Sequence, residues 1–127
     1  GLGYASDGVS PESDEAYRAA VAGRPVFRDA VVAIMDEHDL DAIAYPANRW
    51  TLPAVGEPYT GPFDCIAAGF GGLPAMELPI GFLPDGIPVG MELMGRPFAE
   101  PTLFAMAAGY EAHTNHRYLP PTTPPLE

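Results

Sequence analysis

The chain has 127 residues, of which 47% are apolar, and this is enough for one domain with a single core. Seventeen acidic and six basic residues give a formal net charge of −11, which repels phosphate backbones and anionic lipid headgroups. We therefore expect no nucleic-acid partner and no membrane partner. The single cysteine, Cys65, excludes an intrachain disulfide and favours the cytoplasm as the location.

Two helices are predicted in the first third of the chain. Residues 1–9 are expected to form a flexible lead-in, and Ser10-Pro11 then offers an N-cap and a first helical residue. This helix should end near Gly23-Arg24-Pro25, and a second helix should follow. Apolar residues recur along one face of the second helix, which needs a covering partner; they are Val26, Phe27, Ala30, Val31, Ile34 and Met35.

A short strand and a long loop come next. The run "DAIAYP" has β-type residues and ends at Pro46, whereas residues 47–62 are rich in proline and show no period, which is typical of a loop. A short helix or turn over residues 63–68 then leads into Gly69-Phe70-Gly71-Gly72, where small residues permit close backbone approach.

The segment 75–94 is predicted to be a β-hairpin. Two apolar runs flank Pro84-Asp85-Gly86, a tripeptide that favours a turn because proline presets φ and glycine accepts a positive φ. Apart from Glu77 and Glu92, both runs are apolar at nearly every position. This pattern indicates a sheet that is covered on both faces.

A helix is predicted over residues 102–115, followed by a proline-rich tail at 117–127 that should be extended. The helix has an apolar face formed by Leu103, Phe104, Ala107 and Tyr110, with Thr114 at its end.

Nucleophiles for a hydrolase are scarce in this sequence. The serines, Ser6, Ser10 and Ser13, all lie in the polar N-terminal part without a glycine elbow, which favours capping and solvent exposure. Cys65 has no neighbour that would activate it, so a buried free cysteine is the better interpretation.

Metal and phosphate sites are also weakly supported. His113 and His116 stand three residues apart with Glu111 nearby, but no further ligand follows at metal-site spacing. The acidic residues at positions 36, 37, 39 and 41 favour a solvated helix end. The Gly-Phe-Gly-Gly sequence lacks the lysine of a phosphate loop. We therefore predict neither a metal nor a cofactor.

The run "GLPAMELPIGFLPDGIPVGMELMGRPFAEPTLFAMAAGYE", followed by "HRYLPPTTPPL", closely resembles the C-terminal end of amidase-signature family enzymes. In that family a Gly-Leu-Pro-Ala strand, a Pro-Asp-Gly turn, a Pro-Val-Gly strand, Gly-Arg-Pro-Phe and a helix carrying Tyr-Glu occur in this order. The upstream "LDAIAYPA" resembles another strand of the family. The resemblance implies an α+β fold in which the hairpin belongs to a mixed β-sheet flanked by helices.

The resemblance also implies hydrolysis of a carboxamide by a serine nucleophile, a second serine in a cis peptide and a lysine base. This chain contains no lysine, no adjacent serine pair and no Gly-Gly-Ser-Ser-Gly-like stretch, so no catalytic residue is assigned. Residues 1–127 are interpreted as a C-terminal fragment of an amidase-like domain that is inactive alone. The parent enzyme would act on a small-molecule amide.

Three residues are candidates for substrate binding: Asn48, Trp50 and Phe70. Trp50, with Arg49 and Tyr59, either lines a substrate pocket or merely covers the core. Two partners are expected for the apolar surfaces, namely the missing N-terminal half of the domain or a second copy of the chain. The rival hypothesis is a free-standing, non-catalytic binding or assembly module, and a component of a tRNA-dependent amidotransferase is a further alternative.

Overall fold

The computed structural model describes residues 13–50, 52–61 and 66–119. Within them, helices and strands follow one another as α1 (Glu15–Glu37), β1 (Ala42–Pro46), α2 (Ile66–Gly71), β2 (Ala75–Phe82), β3 (Pro88–Gly95) and α3 (Glu100–His113). The predicted α+β class, with a hairpin and a helix after it, is confirmed. The predicted lead-in at 1–9 and most of the predicted tail at 117–127 lie outside the described residues.

The central strand of the sheet is β3, and the strand order is β1-β3-β2. It pairs antiparallel with β2 across the predicted hairpin, which is thereby confirmed, and antiparallel with β1 on its other side. Tyr45, Glu92 and Glu77 consequently lie side by side across the three strands. Every pair among the described strands is antiparallel, so the parallel neighbour that a mixed sheet requires stays a prediction.

The turn between β2 and β3 follows from its Pro-Asp-Gly sequence. The amide of Gly86 donates to the carbonyl of Leu83 at 2.9 Å, which closes a four-residue turn. Gly86 has a φ of 84°, a left-handed conformation that glycine adopts without steric cost. The carboxylate of Asp85 accepts a hydrogen bond from the amide of Ile87 at 3.3 Å. The predicted turn and the positive φ of its glycine are therefore confirmed.

One continuous helix, α1, replaces the two helices that Gly23-Arg24-Pro25 suggested. Pro25 lies inside α1, where its ring removes one main-chain hydrogen bond at a cost of about 3 kcal/mol. Contacts with α2 offset this cost. The guanidinium of Arg24 donates to two carbonyls of α2, and the ring of Phe27 packs edge-on against Phe70. The predicted break was wrong because packing outweighed local propensity.

The start of α1 is fixed by a side-chain cap. The carboxylate of Asp14 accepts hydrogen bonds from the amides of Ala16 at 2.8 Å and Tyr17 at 3.2 Å. The N-cap is therefore Asp14. Ser10 and Pro11, which were predicted to start the helix, lie outside the described residues.

Two hydrophobic clusters cover the two faces of the sheet. On one face, Met94 of β3 packs with Val31 and Met35 of α1 and with residues of α2. On the other face, Leu78 and Leu93 pack against α3. The strand β3 is buried in its last four residues and becomes more exposed towards the turn. The prediction of a sheet covered on both faces thus holds at one end of the hairpin.

The helix α1 buries a narrower stripe than its apolar periodicity predicted. Val31 and Met35, spaced four residues apart, are buried, whereas Val26 is 70% exposed. Ala30 and Ile34 are exposed as well, so their predicted burial was wrong. A helix that crosses a small sheet contacts it along one line of residues spaced by about one turn.

In α3, too, the buried face is narrower than the apolar periodicity predicted. This helix covers Glu100–His113 rather than the predicted 102–115. Leu103 and Ala107 are buried and Tyr110 is half-buried, whereas Phe104 is 65% exposed. The predicted burial of Phe104 was therefore wrong, for the same reason as in α1.

The loop and the short helix after β1 agree in part with the prediction. The described residues of 47–62 contain no helix or strand. The helix α2 begins at Ile66 and ends at Gly71, so that Gly69-Phe70-Gly71 belongs to the helix rather than to a turn after it. Packing on α1 keeps these small residues helical.

Candidate functional site

An open cleft of about 540 Å³ lies between the loop after β1 and the turn end of the hairpin. We call it the loop-hairpin cleft. Its described walls combine the polar side chains of Asn48, Arg49 and Glu77 with apolar side chains from both elements, which include Trp50, Leu83, Ile87 and Val89. A volume of this size is typical of sites for small organic ligands.

The loop side of the cleft is ordered by Asn48. Its side-chain carbonyl oxygen accepts hydrogen bonds from the amide of Trp50 at 3.0 Å and from the hydroxyl of Tyr59 at 2.8 Å. The amide of Ala47 donates to the carbonyl of Gly90 at 3.0 Å, which attaches the start of the loop to β3. The Asn48 oxygen is thus used within the protein, and its side-chain NH2 has no hydrogen-bond partner among the described residues.

Trp50 forms a wall of the cleft and is 58% exposed. Gly61 lies so close that a Cβ on it would be 2.6 Å from the Cβ of Trp50. The loop is therefore folded back on itself at this point. Substrate contact by Trp50 stays a prediction.

Phe70, the third candidate, is not among the described residues that line this cleft. Its ring packs against Phe27 with 5.6 Å between the ring centroids. It also lines a separate apolar groove between α1 and α2, together with Tyr17 and Ile66. The structure brings Asn48 and Trp50 together and leaves Phe70 apart, so substrate contact by Phe70 stays a prediction.

Two glutamates lie opposite each other on β2 and β3 beside the cleft. Glu77 lines the cleft, and its partner in the strand register is Glu92. Glu92 is only 6% exposed, and its carboxylate accepts a hydrogen bond from the hydroxyl of Tyr45 on β1. Like charges directly opposite each other destabilise a strand pair. Among the described residues that line the cleft, Glu77 and Arg49 are the charged ones.

A family model described as amidase matches residues 5–104 of this chain, which is most of its length. The chain belongs to the amidase signature family. The resemblance that the strand and turn motifs indicated is thereby confirmed.

Several relatives match part of this chain at moderate identity. The A subunit of the glutamyl-tRNA(Gln) amidotransferase from Legionella pneumophila strain Paris is 33% identical over 109 residues, which are 80% of this chain and 22% of that protein. Its counterpart from Symbiobacterium thermophilum is 37% identical over 83 residues, covering 60% and 17% of the two chains. This chain therefore spans about a fifth of the length of the curated relatives it matches.

Solved structures agree with this assignment. The native peptide amidase of Stenotrophomonas maltophilia superposes with a TM-score of 0.73 at 32% identity, covering 89% of this chain and 23% of that one. The A subunit of the Thermotoga maritima glutamyl-tRNA(Gln) amidotransferase superposes with a TM-score of 0.63 at 27% identity, covering 81% and 24%.

Of the nucleophiles considered in the sequence, Ser13 alone belongs to the described residues. Ser13 is followed directly by the N-cap of α1. Ser6, Ser10 and Cys65 lie outside the described residues.

The histidines near the end of α3 have separate partners. Nδ1 of His113 lies 2.8 Å from the carbonyl oxygen of Gly109, and Nδ1 of His116 lies 2.9 Å from the hydroxyl of Tyr110. Among the described residues, no three side chains of His, Cys, Asp or Glu come together in a group that could hold a metal ion.

Two members of the acidic cluster at the C-terminal end of α1, Asp36 and Asp39, have structural roles. The carboxylate of Asp36 pairs with Arg96, whose Nε donates to the carbonyl of Leu40 at 3.1 Å. Asp39 adopts a φ of 52° and ends the helix in a left-handed conformation. These contacts attach the end of α1 to the end of β3.

Sequence reasoning missed the pair formed by Tyr45 and Glu92. The sequence did contain a signal, because Glu77 and Glu92 interrupt strands that are otherwise apolar. The pairing of β1 with β3 is what aligns Tyr45 with Glu92, and a single sequence does not reveal the strand order.

In the part of the chain that the structure describes, no helix is both long enough and apolar enough to cross a membrane.

Proposed function

We propose that this chain is the C-terminal part of an amidase-like carboxamide hydrolase, in which it completes the core and forms one wall of the substrate cleft. The observation that carries the proposal is the family match over residues 5–104 in a chain that spans about a fifth of its relatives. The order of the motifs from the Gly-Leu-Pro-Ala strand to the final helix supports the C-terminal position. The single cysteine is compatible with the cytoplasm as its location.

The loop-hairpin cleft is the proposed contribution to substrate binding. The NH2 group of Asn48 would donate to a carbonyl oxygen of the substrate, since the side-chain oxygen is already occupied. Trp50 would pack against the apolar part of the substrate. The hydrogen bond from the amide of Ala47 to the carbonyl of Gly90 attaches the start of the loop to β3 and would help to hold both groups in position.

Completion of a larger core is supported by the apolar residues that this chain leaves exposed. They occur on both long helices and on α2, and Val26, Ile34, Ile66 and Phe104 are among them. The outer edges of β1 and β2 have no strand partner among the described residues. We propose that the rest of the amidase domain covers these surfaces, and that a second copy of the chain covers them when that part is absent.

The chemistry of amide cleavage explains why the chain should be inactive alone. An amide is a poor electrophile, so hydrolysis needs an activated nucleophile, a shielded oxyanion site and a proton for the leaving nitrogen. The family route uses a lysine as the base, and this chain contains none. The serines and the lysine would come from the rest of the domain, and this chain would supply the wall that positions the carboxamide.

Ammonia release tests this proposal. The purified chain should release no ammonia above background from simple aliphatic and aromatic amides, whereas the complete protein from the same reading frame should release it. Co-expression of the chain with the rest of the domain as a second polypeptide should restore part of the activity. Turnover by the isolated chain that is lost on Cys65→Ala or His38→Ala substitution would contradict the proposal. An inactive complete protein would favour the non-catalytic module instead.

A second candidate function is that of a component of a tRNA-dependent amidotransferase. The names of the curated relatives favour it, since they are the A subunits of glutamyl-tRNA(Gln) amidotransferases. The net charge of −11 does not favour contact with RNA by this chain itself, so another component of the complex would have to bind the tRNA. Amidation of glutamyl-tRNA by the complete protein, only when the other components are added, would distinguish this function from simple hydrolysis.

A further inference from the structure

We propose that the loop-hairpin cleft binds a cationic group of the amide substrate and that Glu77 recognises its charge. This inference rests on the proposed function, and it names the substrate class for the same cleft. The expected group is a primary ammonium or a guanidinium at the end of an apolar chain.

The walls of the cleft fit such a group. Leu83, Ile87 and Val89 provide an apolar surface for a methylene chain, and Trp50 presents an aromatic ring that also attracts cations. Among the described residues that line the cleft, Glu77 is the only acidic one. A carboxylate beside an apolar and aromatic surface is a common partner for an ammonium or a guanidinium, and here Glu77 lies beside Leu83, Ile87 and Val89 in a lining that also contains Asn48 and Arg49.

The backbone beneath Glu77 is shaped to its carboxylate. A Cβ on Gly90 would lie 2.1 Å from Oε1 of Glu77 and 3.0 Å from its Cδ. The carboxylate therefore occupies the space that any other residue at position 90 would fill. Gly90 and Glu77 both line the cleft, so the charge lies against β3 at the surface of the cleft.

The charge of Glu77 has no cationic partner within the described residues. The ion pairs found there join Arg28 to Asp29 and Arg96 to Asp36. Arg49 also lines the cleft, but it has interactions of its own and forms no ion pair with Glu77. The residue opposite Glu77 is Glu92, another carboxylate, so a cation bound beside Glu77 would also relieve the repulsion between the two.

The test compares amides of matched shape and different charge. The complete protein is assayed with two amides that are acetylated on the α-nitrogen. They are Nα-acetyl-lysine amide, which keeps the side-chain ammonium, and Nα-acetyl-norleucine amide, which has the apolar chain without it. We expect the lysine derivative to have the lower KM, and we call the ratio of the two KM values the preference. Glu77→Gln should reduce this preference by about tenfold, because the substitution removes the charge and keeps the shape. Glu57→Gln, in the loop after β1 but outside the cleft lining, is the matched control and should keep the preference.

A second variant probes the geometry without removing the charge. Gly90→Ala introduces a methyl group where the Glu77 carboxylate lies, so we expect it to displace the carboxylate and to reduce the same preference. Circular dichroism and the melting temperature of each variant show whether it is folded. If either variant does not fold, the wild-type protein still decides, since raised salt should weaken binding of the lysine derivative alone.

The outcomes separate this inference from the proposed function. Hydrolysis of both amides with equal KM, or an unchanged preference in Glu77→Gln, would overturn the inference and leave the hydrolase proposal intact. If no amide is hydrolysed, calorimetric titration with the two amides still tests it, and equal or absent binding of both would refute it. A Glu77→Gln variant that loses stability but keeps the preference for the lysine derivative would show that the Glu77 carboxylate interacts with another group of the protein and not with the substrate. That result would also overturn the inference.

Discussion

Replacing Leu103 with alanine should destabilise the fold strongly, because this side chain joins α3 to the sheet. Leu103 is 2% exposed, and its Cγ and Cδ atoms lie 3.1–3.2 Å from where a Cβ on Gly95 would be. Losing three carbon atoms costs about 2.4 kcal/mol at about 0.8 kcal/mol for each. Since Gly95 has no side chain to fill the void, the cavity should add roughly 1–2 kcal/mol, for a total of about 3.4–4.4 kcal/mol.

Urea unfolding followed by circular dichroism measures this loss, at two protein concentrations so that self-association is detected. Phe104→Ala is the matched control, since it truncates the adjacent and larger side chain of the same helix. Because the Phe104 ring is mostly exposed, this control should lose less than about 1 kcal/mol. Equal losses for the two variants, or a loss below about 1 kcal/mol for Leu103→Ala, would refute the assigned packing of α3.

Three further predictions concern the C-terminal end of α1 and the exposed apolar surface. Asp39→Gly should stabilise the chain by about 1 kcal/mol in the same urea assay, because Asp39 has a φ of 52°, whereas Asp41→Gly should not stabilise it. Arg96→Met should lower the free energy of unfolding by about 1–2 kcal/mol, since it removes the bonds to Leu40 and Asp36. The control Arg28→Met removes an exposed ion pair and should lower it by less than about 0.5 kcal/mol. Equal losses of stability in the two variants would count against the described contact of Arg96. The isolated chain should form larger species with rising concentration in sedimentation velocity, and a strictly monomeric chain would argue against a missing covering part.

Local signals made the hairpin and the final helix predictable. The Pro-Asp-Gly turn acts through the φ preferences of its own residues, so no distant contact is needed to recognise it. The apolar runs on both sides then set the strand lengths, and the observed β2 and β3 agree with the predicted runs within one residue.

Features that depend on distant contacts were not predictable. The break expected at Pro25 does not occur, because Arg24 and Phe27 bind α2, about 45 residues later in the chain. The exposure of Val26 and Phe104 depends on where each helix crosses the sheet, which apolar periodicity does not specify. For the candidate site, the sequence indicated Asn48 and Trp50 in one loop. The position of Glu77 beside them required the pairing of all three strands.

The strand order has a consequence for the order of events during synthesis. Among the described strands, β1 pairs only with β3, the last of them to emerge from the ribosome, and the partners Ala42 and Gly95 are about 50 residues apart. The hairpin can form as soon as β3 is made, because its contacts are local, whereas β1 must wait for that strand. The loop after β1 therefore docks late, and the cleft is assembled in one of the last steps of folding. Substitutions that slow this docking should lower the yield of active protein without changing the cleft itself.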